Sequence, residues 1–367
     1  MNETVRLFSM ERRIQKYQVA FESASKRVLN SNNLILSNEN RNFENEFASF
    51  LKIEQVITVA NGTDALTIAL ASLNLPENSI IGLASNGGGY STNAIIRNNL
   101  LPLFADINPF TLNLDLDAIS KLIEHGATAI VITHLFGQIN PQIEAISELC
   151  KKNDVKLIED CAQSHGTFLN NKSSGTFGDI SCFSFYPTKN LGAFGDAGAI
   201  ATRSKNLAET CRSLRTYGWR MKYEVELTDG LNSRMDELQA AFLRDILAEL
   251  PDENETRLEI ARHYKSKIIN PKIAHIDWNF ESFNAHLFII KCSERESLIR
   301  HLMNNNIESG IHYPIPDHNQ LAWKNKHRQV GTQKTTEILA NQILTIPCHP
   351  YMTQSEIERV VDVLNSF

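Results

Sequence analysis

Between residues 56 and 202, short runs of β-branched and aliphatic residues alternate with amphipathic segments of about ten residues. That alternation narrows the possible folds more than any other feature. Strand-like runs fall at 56–60, 79–84, 100–105, 128–133, 155–159 and 198–202. Between them, Leu66, Ala69, Leu70 and Leu73 recur at helical spacing, and further helical patterns cover about 90–98, 115–125, 141–152 and 204–216. Strands alternating with helices of this length predict βαβ units and a largely parallel sheet. In such sheets chemistry collects beyond the carboxyl ends of the strands. Three positions there stand out: Gly62-Thr63, Asp160 and Lys189.

Each has an ordinary reading beside a functional one. Asn61-Gly62-Thr63-Asp64 opens a helix directly after a strand, so its free backbone N–H groups and hydroxyl suit an anion such as a phosphate; the same residues suit a plain N-cap. Asp160 ends the run Lys156-Leu157-Ile158-Glu159-Asp160, where an acid can act as base, pair with a cationic heterocycle or cap a helix. A zinc site is not expected, since Asp160 and His165 lack a third ligand at a usual spacing. Ser181 to Phe185 alternates as a strand, breaks at Pro187 and presents Lys189 in a turn followed by Gly192, Gly195 and Gly198. A lysine held against close-packed backbone can have a lowered pKa and act as a nucleophilic amine; in isolation it reads as a loop lysine.

The remaining chain completes two domains. Helices are expected over 11–30 and 41–52, and a long helix opens near Leu231, capped by Asn232 or Ser233, and runs to Leu250. A polar helix follows over 253–269, then a strand at 283–290, helices at 294–304 and 335–344, and a last helix behind the capping-box residues Thr353 and Glu356. The expected division is a large domain over 1–250 and a smaller α+β domain over 251–367. Thirty-six basic against forty-two acidic residues, a net charge of −6, argue against nucleic acid as a partner. No run approaches eighteen apolar residues, so no membrane helix is expected, and the N-terminus lacks a signal-like apolar core. Six scattered cysteines without a CxxC pair fit reduced thiols and a cytoplasmic location.

Taken in order, four blocks resemble one known family: Asn61-Gly62-Thr63-Asp64-Ala65-Leu66, Glu159 to Gly166, Phe183 to Gly192, and Asn232-Ser233-Arg234-Met235-Asp236-Glu237. They look like the signature blocks of the DegT/DnrJ/EryC/StrS nucleotide-sugar aminotransferases, fold-type I pyridoxal-phosphate enzymes of α/β class. The resemblance extends to Gly310-Ile311-His312-Tyr313-Pro314-Ile315-Pro316. It implies that Lys189 bonds to pyridoxal phosphate and moves protons between cofactor and sugar carbons. It implies too that Asp160 pairs with the pyridinium nitrogen and that Gln163 lies over the ring. Gly62, Thr63 and Ser184 would hold the phosphate, with Asn232 added from a second subunit, so that the active unit is a homodimer. Tyr186, His312 and Tyr313 would face the substrate, and His134 would be structural. Two positions depart from the family pattern. Gly88 stands where many members carry a Phe or Trp that stacks on the ring, leaving Tyr90 as the nearest aromatic. Gly195-Asp196-Ala197-Gly198 replaces the usual Gly-Asp-Gly-Gly.

The resemblance is strongest to members that aminate a dTDP-linked 3-keto-6-deoxyhexose, with L-glutamate as donor, for glycan or glycoside biosynthesis. Other readings compete, a Rossmann dehydrogenase least of all, because Gly87, Gly88 and Gly89 do not form G-x-G-x-x-G after a strand. A 4-keto-sugar aminotransferase is expected to carry Asn-Tyr-Arg in the block that here reads Tyr217-Gly218-Trp219-Arg220. A dehydratase of the family would have histidine in place of Lys189. A non-catalytic nucleotide-sugar sensor on the same scaffold would not need Asp160, Ser184 and Lys189 together.

Overall fold

A computed structural model describes residues 3–367. The chain begins with α1 (Met10–Ser31) and α2 (Asn38–Leu51), then alternates β1 (Gln55–Val59), α3 (Gly62–Ser72), β2 (Ile80–Ala84), α4 (Tyr90–Arg97), β3 (Leu101–Ala105), α5 (Leu116–Glu124), β4 (Ala127–Thr133), α6 (Ile143–Lys152) and β5 (Lys156–Asp160). A small hairpin of β6 (Phe168–Leu169) and β7 (Lys172–Ser173) leads to β8 (Ile180–Ser184) and β9 (Gly198–Thr202). After α7 (Lys205–Leu214) come a second hairpin, β10 (Trp219–Met221) and β11 (Glu224–Val225), and two helices, α8 (Glu237–Leu247) and α9 (Leu250–Lys267). The last part holds β12 (Ala274–His275), β13 (Phe288–Lys291), α10 (Arg295–Asn304), β14 (Arg328–Val330), α11 (Lys334–Gln342), β15 (Ile343–Ile346) and α12 (Gln354–Asn365).

The main sheet runs β1-β9-β8-β5-β4-β2-β3-β14. Only β9 runs against its neighbours β1 and β8; the other pairs are parallel. This is the expected fold-type I α/β architecture with a mostly parallel sheet. Its register matters for function: Thr133 of β4 lies beside Asp160 of β5, and Asp160 lies beside Cys182 of β8, two residues before Ser184. Parallel strands thus deliver Thr133, Asp160 and Ser184 to one edge.

Helices α1, α2 and α8 bury one aromatic layer against the sheet, where Phe47 meets Phe183 and Phe185 edge-on at 5.1 and 5.4 Å between centroids. A second core lies beyond Leu250, around Phe288, Leu298, Ile346 and Val360. The division at 250/251 falls at the start of α9 and stays a proposal. Several segments cross it: β14 forms the outer strand of the main sheet beside β3, Val5 joins the second core and bridges to Ile307, and Ile107, Leu112, Leu135 and Phe136 pack into that core as well. Among the described residues no helix is long and apolar enough to cross a membrane, and all six cysteines are buried and free.

Helix boundaries follow their caps. Asn61 and Asp115 accept the N–H of Asp64 and Ala118 at 2.8 and 3.0 Å, and Thr353 with Glu356 closes the expected capping box. At α8 the expectation fails. The helix starts at Glu237 behind Asp236, because the Ser233 hydroxyl accepts the Ala60 N–H at 3.1 Å and so ties that segment to β1 instead of capping α8. Glu237 is itself a cap, but for another helix. Its buried carboxylate accepts the N–H groups of Ser37, Glu39 and Asn40 at 2.7, 2.8 and 3.0 Å and the Asn40 side chain at 2.7 Å, facing the positive end of α2. Glu237→Ala leaves those buried donors unmet and is expected to destabilise the protein by roughly 3 kcal/mol. The check is a lower denaturation midpoint at unchanged slope in a urea titration.

Candidate active site

A cavity of about 560 Å³ opens at the carboxyl edge of the sheet. Its walls bring together Gly62, Thr63, Tyr90, Asp160, Gln163, Ser184, Tyr186, Lys189, His312 and Tyr313, segments that are up to 251 positions apart in the chain. Asn232 is exposed and does not line this cavity; it bridges to Thr216 in the turn before the β10–β11 hairpin.

One wall is built for an anion. Asn61 caps α3 through its side chain, which leaves the first-turn N–H groups of Gly62 and Thr63 without partners inside the helix. The strand end comes so close that a Cβ on Gly62 would sit 2.6 Å from the Ser184 Cβ, and one on Gly198 would sit 2.5 Å from the Asn61 carbonyl carbon. Glycine at both positions therefore lets free N–H groups and the Ser184 hydroxyl share one small space.

The opposite demand is met at Asp160. Its buried carboxylate accepts the Ala162 N–H at 3.1 Å, while the hydroxyls of Thr133 and Ser91 stand at 3.4 Å. Burial raises its pKa, against the pull of those donors and of Lys189. Among the described residues it has no ion-pair partner, so the place for a cationic group beside it is free. Lys189 follows Pro187 in a turn closed by its N–H on the Tyr186 carbonyl at 2.8 Å. Burial lowers its pKa to about 8, and Asp160 pulls the other way. The turn is gripped from outside by the buried Arg13 of α1, which donates to the carbonyls of Gly192 and Ala193. An anion cradle, a carboxylate without a cation and a poised amine in one cavity fit the phosphate, the pyridinium nitrogen and the aldehyde of pyridoxal phosphate.

The aromatic ring nearest to Gly88 in space is that of Tyr313. A Cβ on Gly88 would lie 2.7 Å from the Tyr313 ring, and one on Gly89 would lie 2.5 Å from the Trp323 ring. Tyr313 thus fills the space above Gly88, and its hydroxyl accepts from Gln163 Nε2 at 3.3 Å. Gln163 is oriented in turn by the Phe136 N–H, which its Oε1 accepts at 2.5 Å. Tyr90 meets Tyr313 edge-on at 6.1 Å and is half exposed. Gly88 has φ +75°, so Gly88→Ala combines backbone strain with a clash on Tyr313, about 1–3 kcal/mol. Roughly ten- to a hundredfold weaker cofactor binding is expected, measured by titrating the apoenzyme; unchanged affinity would detach Tyr313 from the cofactor.

His134 is structural. Its Nδ1 accepts the Asn140 N–H at 3.2 Å, so Nε2 carries the proton that it donates to Glu159 at 2.9 Å. Glu159 also accepts N–H groups from Gly175, Phe177 and Gly178 at 2.7–2.8 Å. Donor atoms of His134, Glu159 and Cys161 come within 4.8 Å of one another, but this carboxylate is already filled by N–H donors, which argues against a metal there.

Among the cavity residues that the sequence did not single out are His286 and Arg257. The sequence predicts a strand over 283–290, but Ala285 takes φ +49° and the strand begins at Phe288, so His286 lies in a bend at the cavity, with Nδ1 2.9 Å from Asn190 Oδ1. The Phe283-Asn284-Ala285 turn had no Gly or Pro to mark it. Arg257 lies on the buried face of α9, a helix of mostly polar sequence in which an inward arginine has no distinguishing signal.

A sequence profile described as the DegT/DnrJ/EryC1/StrS aminotransferase family matches residues 16–365. The chain is 39% identical over 361 residues, covering 96% of each chain, to the dTDP-3-amino-3,6-dideoxy-alpha-D-galactopyranose transaminase of Aneurinibacillus thermoaerophilus. The crystal structure of S. venezuelae DesV superposes with a TM-score of 0.95 at 32% identity, over 100% of this chain and 98% of that one. The structure of NtdA from Bacillus subtilis with bound cofactor PMP superposes with a TM-score of 0.88 at 28% identity, over 98% and 82%.

Proposed function

Because the chain belongs to the DegT/DnrJ/EryC1/StrS aminotransferase family, we propose that this pyridoxal-phosphate enzyme moves an amino group from L-glutamate to C3 of a dTDP-linked 3-keto-6-deoxyhexose. The product is a dTDP-3-amino-3,6-dideoxyhexose for glycan biosynthesis. The observation that carries the chemistry is the meeting of Lys189, Asp160, Ser184 and the α3 N-terminus in one cavity. The choice of sugar is supported by the 39% identical relative named for a 3-amino-3,6-dideoxygalactose.

Bound pyridoxal phosphate supplies an electron sink for the carbon that gives or receives the amine. In this reading Asp160 holds the ring nitrogen in its protonated form, and Gly62, Thr63 and Ser184 bind the phosphate through N–H and hydroxyl donors. Lys189 would hold the cofactor through its amine and carry protons during transfer. Tyr186, half exposed at the rim, and His312, held neutral with its pKa lowered to about 4 by burial and by Lys189, face the sugar. Asn232, exposed and outside its own cavity, completes the phosphate site of a second copy in a homodimer. The exposed apolar residues Met221, Tyr223 and Val225 of the adjacent hairpin fit burial against that copy.

The test is to incubate the purified protein with glutamate and either dTDP-3-keto- or dTDP-4-keto-6-deoxyhexose and identify products by mass and NMR. Amination at C3 is the expected result. Amination at C4 alone would transfer the enzyme to the 4-keto class, and none with either sugar would favour the sensor.

A further inference from the structure

One wall of the cavity carries a cation with no counter-ion. Arg257 on α9 is 2% exposed, and among the described residues no carboxylate lies in ion-pair reach of it. One of its donors, on Nη1, reaches the Cys348 carbonyl at 3.0 Å, while Nε has no partner. The carboxylate one turn earlier on α9, Glu253, is already engaged by Lys16, Tyr17 and Tyr351 at 2.9, 2.7 and 3.1 Å. Nearby, His286 and His349 are kept neutral, chiefly by burial, so neither adds a second positive charge and Arg257 is the cation of this wall. A buried charge left unpaired is strongly destabilising, and a planar guanidinium with free donors is matched best by a carboxylate.

We propose that Arg257 anchors a carboxylate of the amino donor, a reading that rests on the transamination proposed above and gives its first half a binding residue. Lys189 and Arg257 line the same cavity, whose 560 Å³ suits a cofactor with an amino acid, whereas a nucleotide-linked sugar must extend outward past the exposed Tyr186. Leu7, Phe8 and Cys348 line the same cavity and bring no competing charge to it.

The two half-reactions separate this proposal from the one it rests on. In Arg257→Gln, the KM for L-glutamate in loading the cofactor is expected to rise by roughly a hundredfold, while the reaction of the pyridoxamine-phosphate-loaded enzyme with nucleotide sugar falls far less. L-Glutamine distinguishes the two carboxylates. If Arg257 holds the α-carboxylate, both amino acids weaken alike; if it holds the side-chain carboxylate, the preference for glutamate disappears. Either outcome supports the anchor. Succinate, as a dicarboxylate probe, is expected to compete with glutamate and to raise the melting temperature of the wild-type holoenzyme but not of the variant. Arg257→Lys, which keeps the charge without the fork, gives an intermediate KM and serves if the glutamine variant does not fold. An unchanged glutamate KM, an equal loss in both half-reactions, or failure of succinate to compete overturns the proposal. A wild-type enzyme that reacts with glutamate but aminates no sugar sinks the substrate reading and leaves Arg257 in place.

Discussion

Lys189→Ala is expected to lower turnover by at least about 10⁴-fold and to change the visible absorption of the bound cofactor. The size follows from two roles in one side chain, covalent attachment and proton transfer, neither of which alanine or water at that position can replace. The structure prepares the amine for both. Burial lowers its pKa to about 8, so near neutral pH far more of the amine is in the neutral form than for an ordinary lysine. The sign gives a pH prediction. The neutral, nucleophilic form accumulates as pH rises through about 8, so cofactor capture by the apoenzyme should accelerate across that range and level off above it. The backbone fixes where the amine goes. A Cβ on Gly192 would lie 2.7 Å from the Pro187 carbonyl oxygen, so the turn after Lys189 closes tightly, and Arg13 clamps its far side. Lys189→Arg, which remains cationic and longer, should be as inactive as the alanine variant. An unchanged cofactor spectrum in Lys189→Ala would remove this lysine from the reaction.

Much of the fold was legible because its signals are local. β-Branched runs such as Val56 to Val59 dictate strands, and the capping residues Asn61, Asp115 and Thr353 mark helix starts whatever surrounds them. The ten residues meeting at the cavity were readable for a related reason: each sits just past a strand or in a distinctive block, and parallel strands share one edge. What was not legible depends on distant partners. The start of α8 shifts from the Asn232-Ser233 pair to Glu237 because Ser233 bonds to β1 and Glu237 to α2, contacts that span more than 170 positions. The outer strand β14 is only three residues, Arg328–Val330, and becomes a strand through pairing with β3. Gly88 looked like the loss of a ring-stacking aromatic. In space it is the opening that admits Tyr313 from 225 positions later. Arg257 illustrates the same limit, since an arginine on a polar helix declares itself only when its burial and missing counter-ion are seen.

The second large effect is expected at Asp160, and it separates charge from shape. Asp160→Asn keeps the volume and can still accept the Ala162 N–H, now at 3.1 Å, through its amide oxygen. It removes the negative charge, the feature that makes a buried carboxylate with no ion-pair partner among the described residues suited to a protonated ring nitrogen. Without that partner the ring nitrogen loses its proton and with it much of its capacity to draw electrons, so both half-reactions should slow by roughly 10²–10³-fold. Cofactor binding should weaken less, because the phosphate donors of Gly62, Thr63 and Ser184 are untouched. Stability should move in the opposite direction in the apoprotein. Burial is the leading cause of the raised Asp160 pKa, so this carboxylate is held there against its own desolvation, and the neutral amide relieves that penalty. The joint measurement is single-turnover rates of each half-reaction with the melting temperature of the apoenzyme. Slower chemistry in both directions with an apoenzyme at least as stable is the signature of a charge kept for the cofactor. A variant that is less stable and equally fast would mean that Asp160 serves the fold through Thr133 and Ser91 and that the ring nitrogen is held by something else.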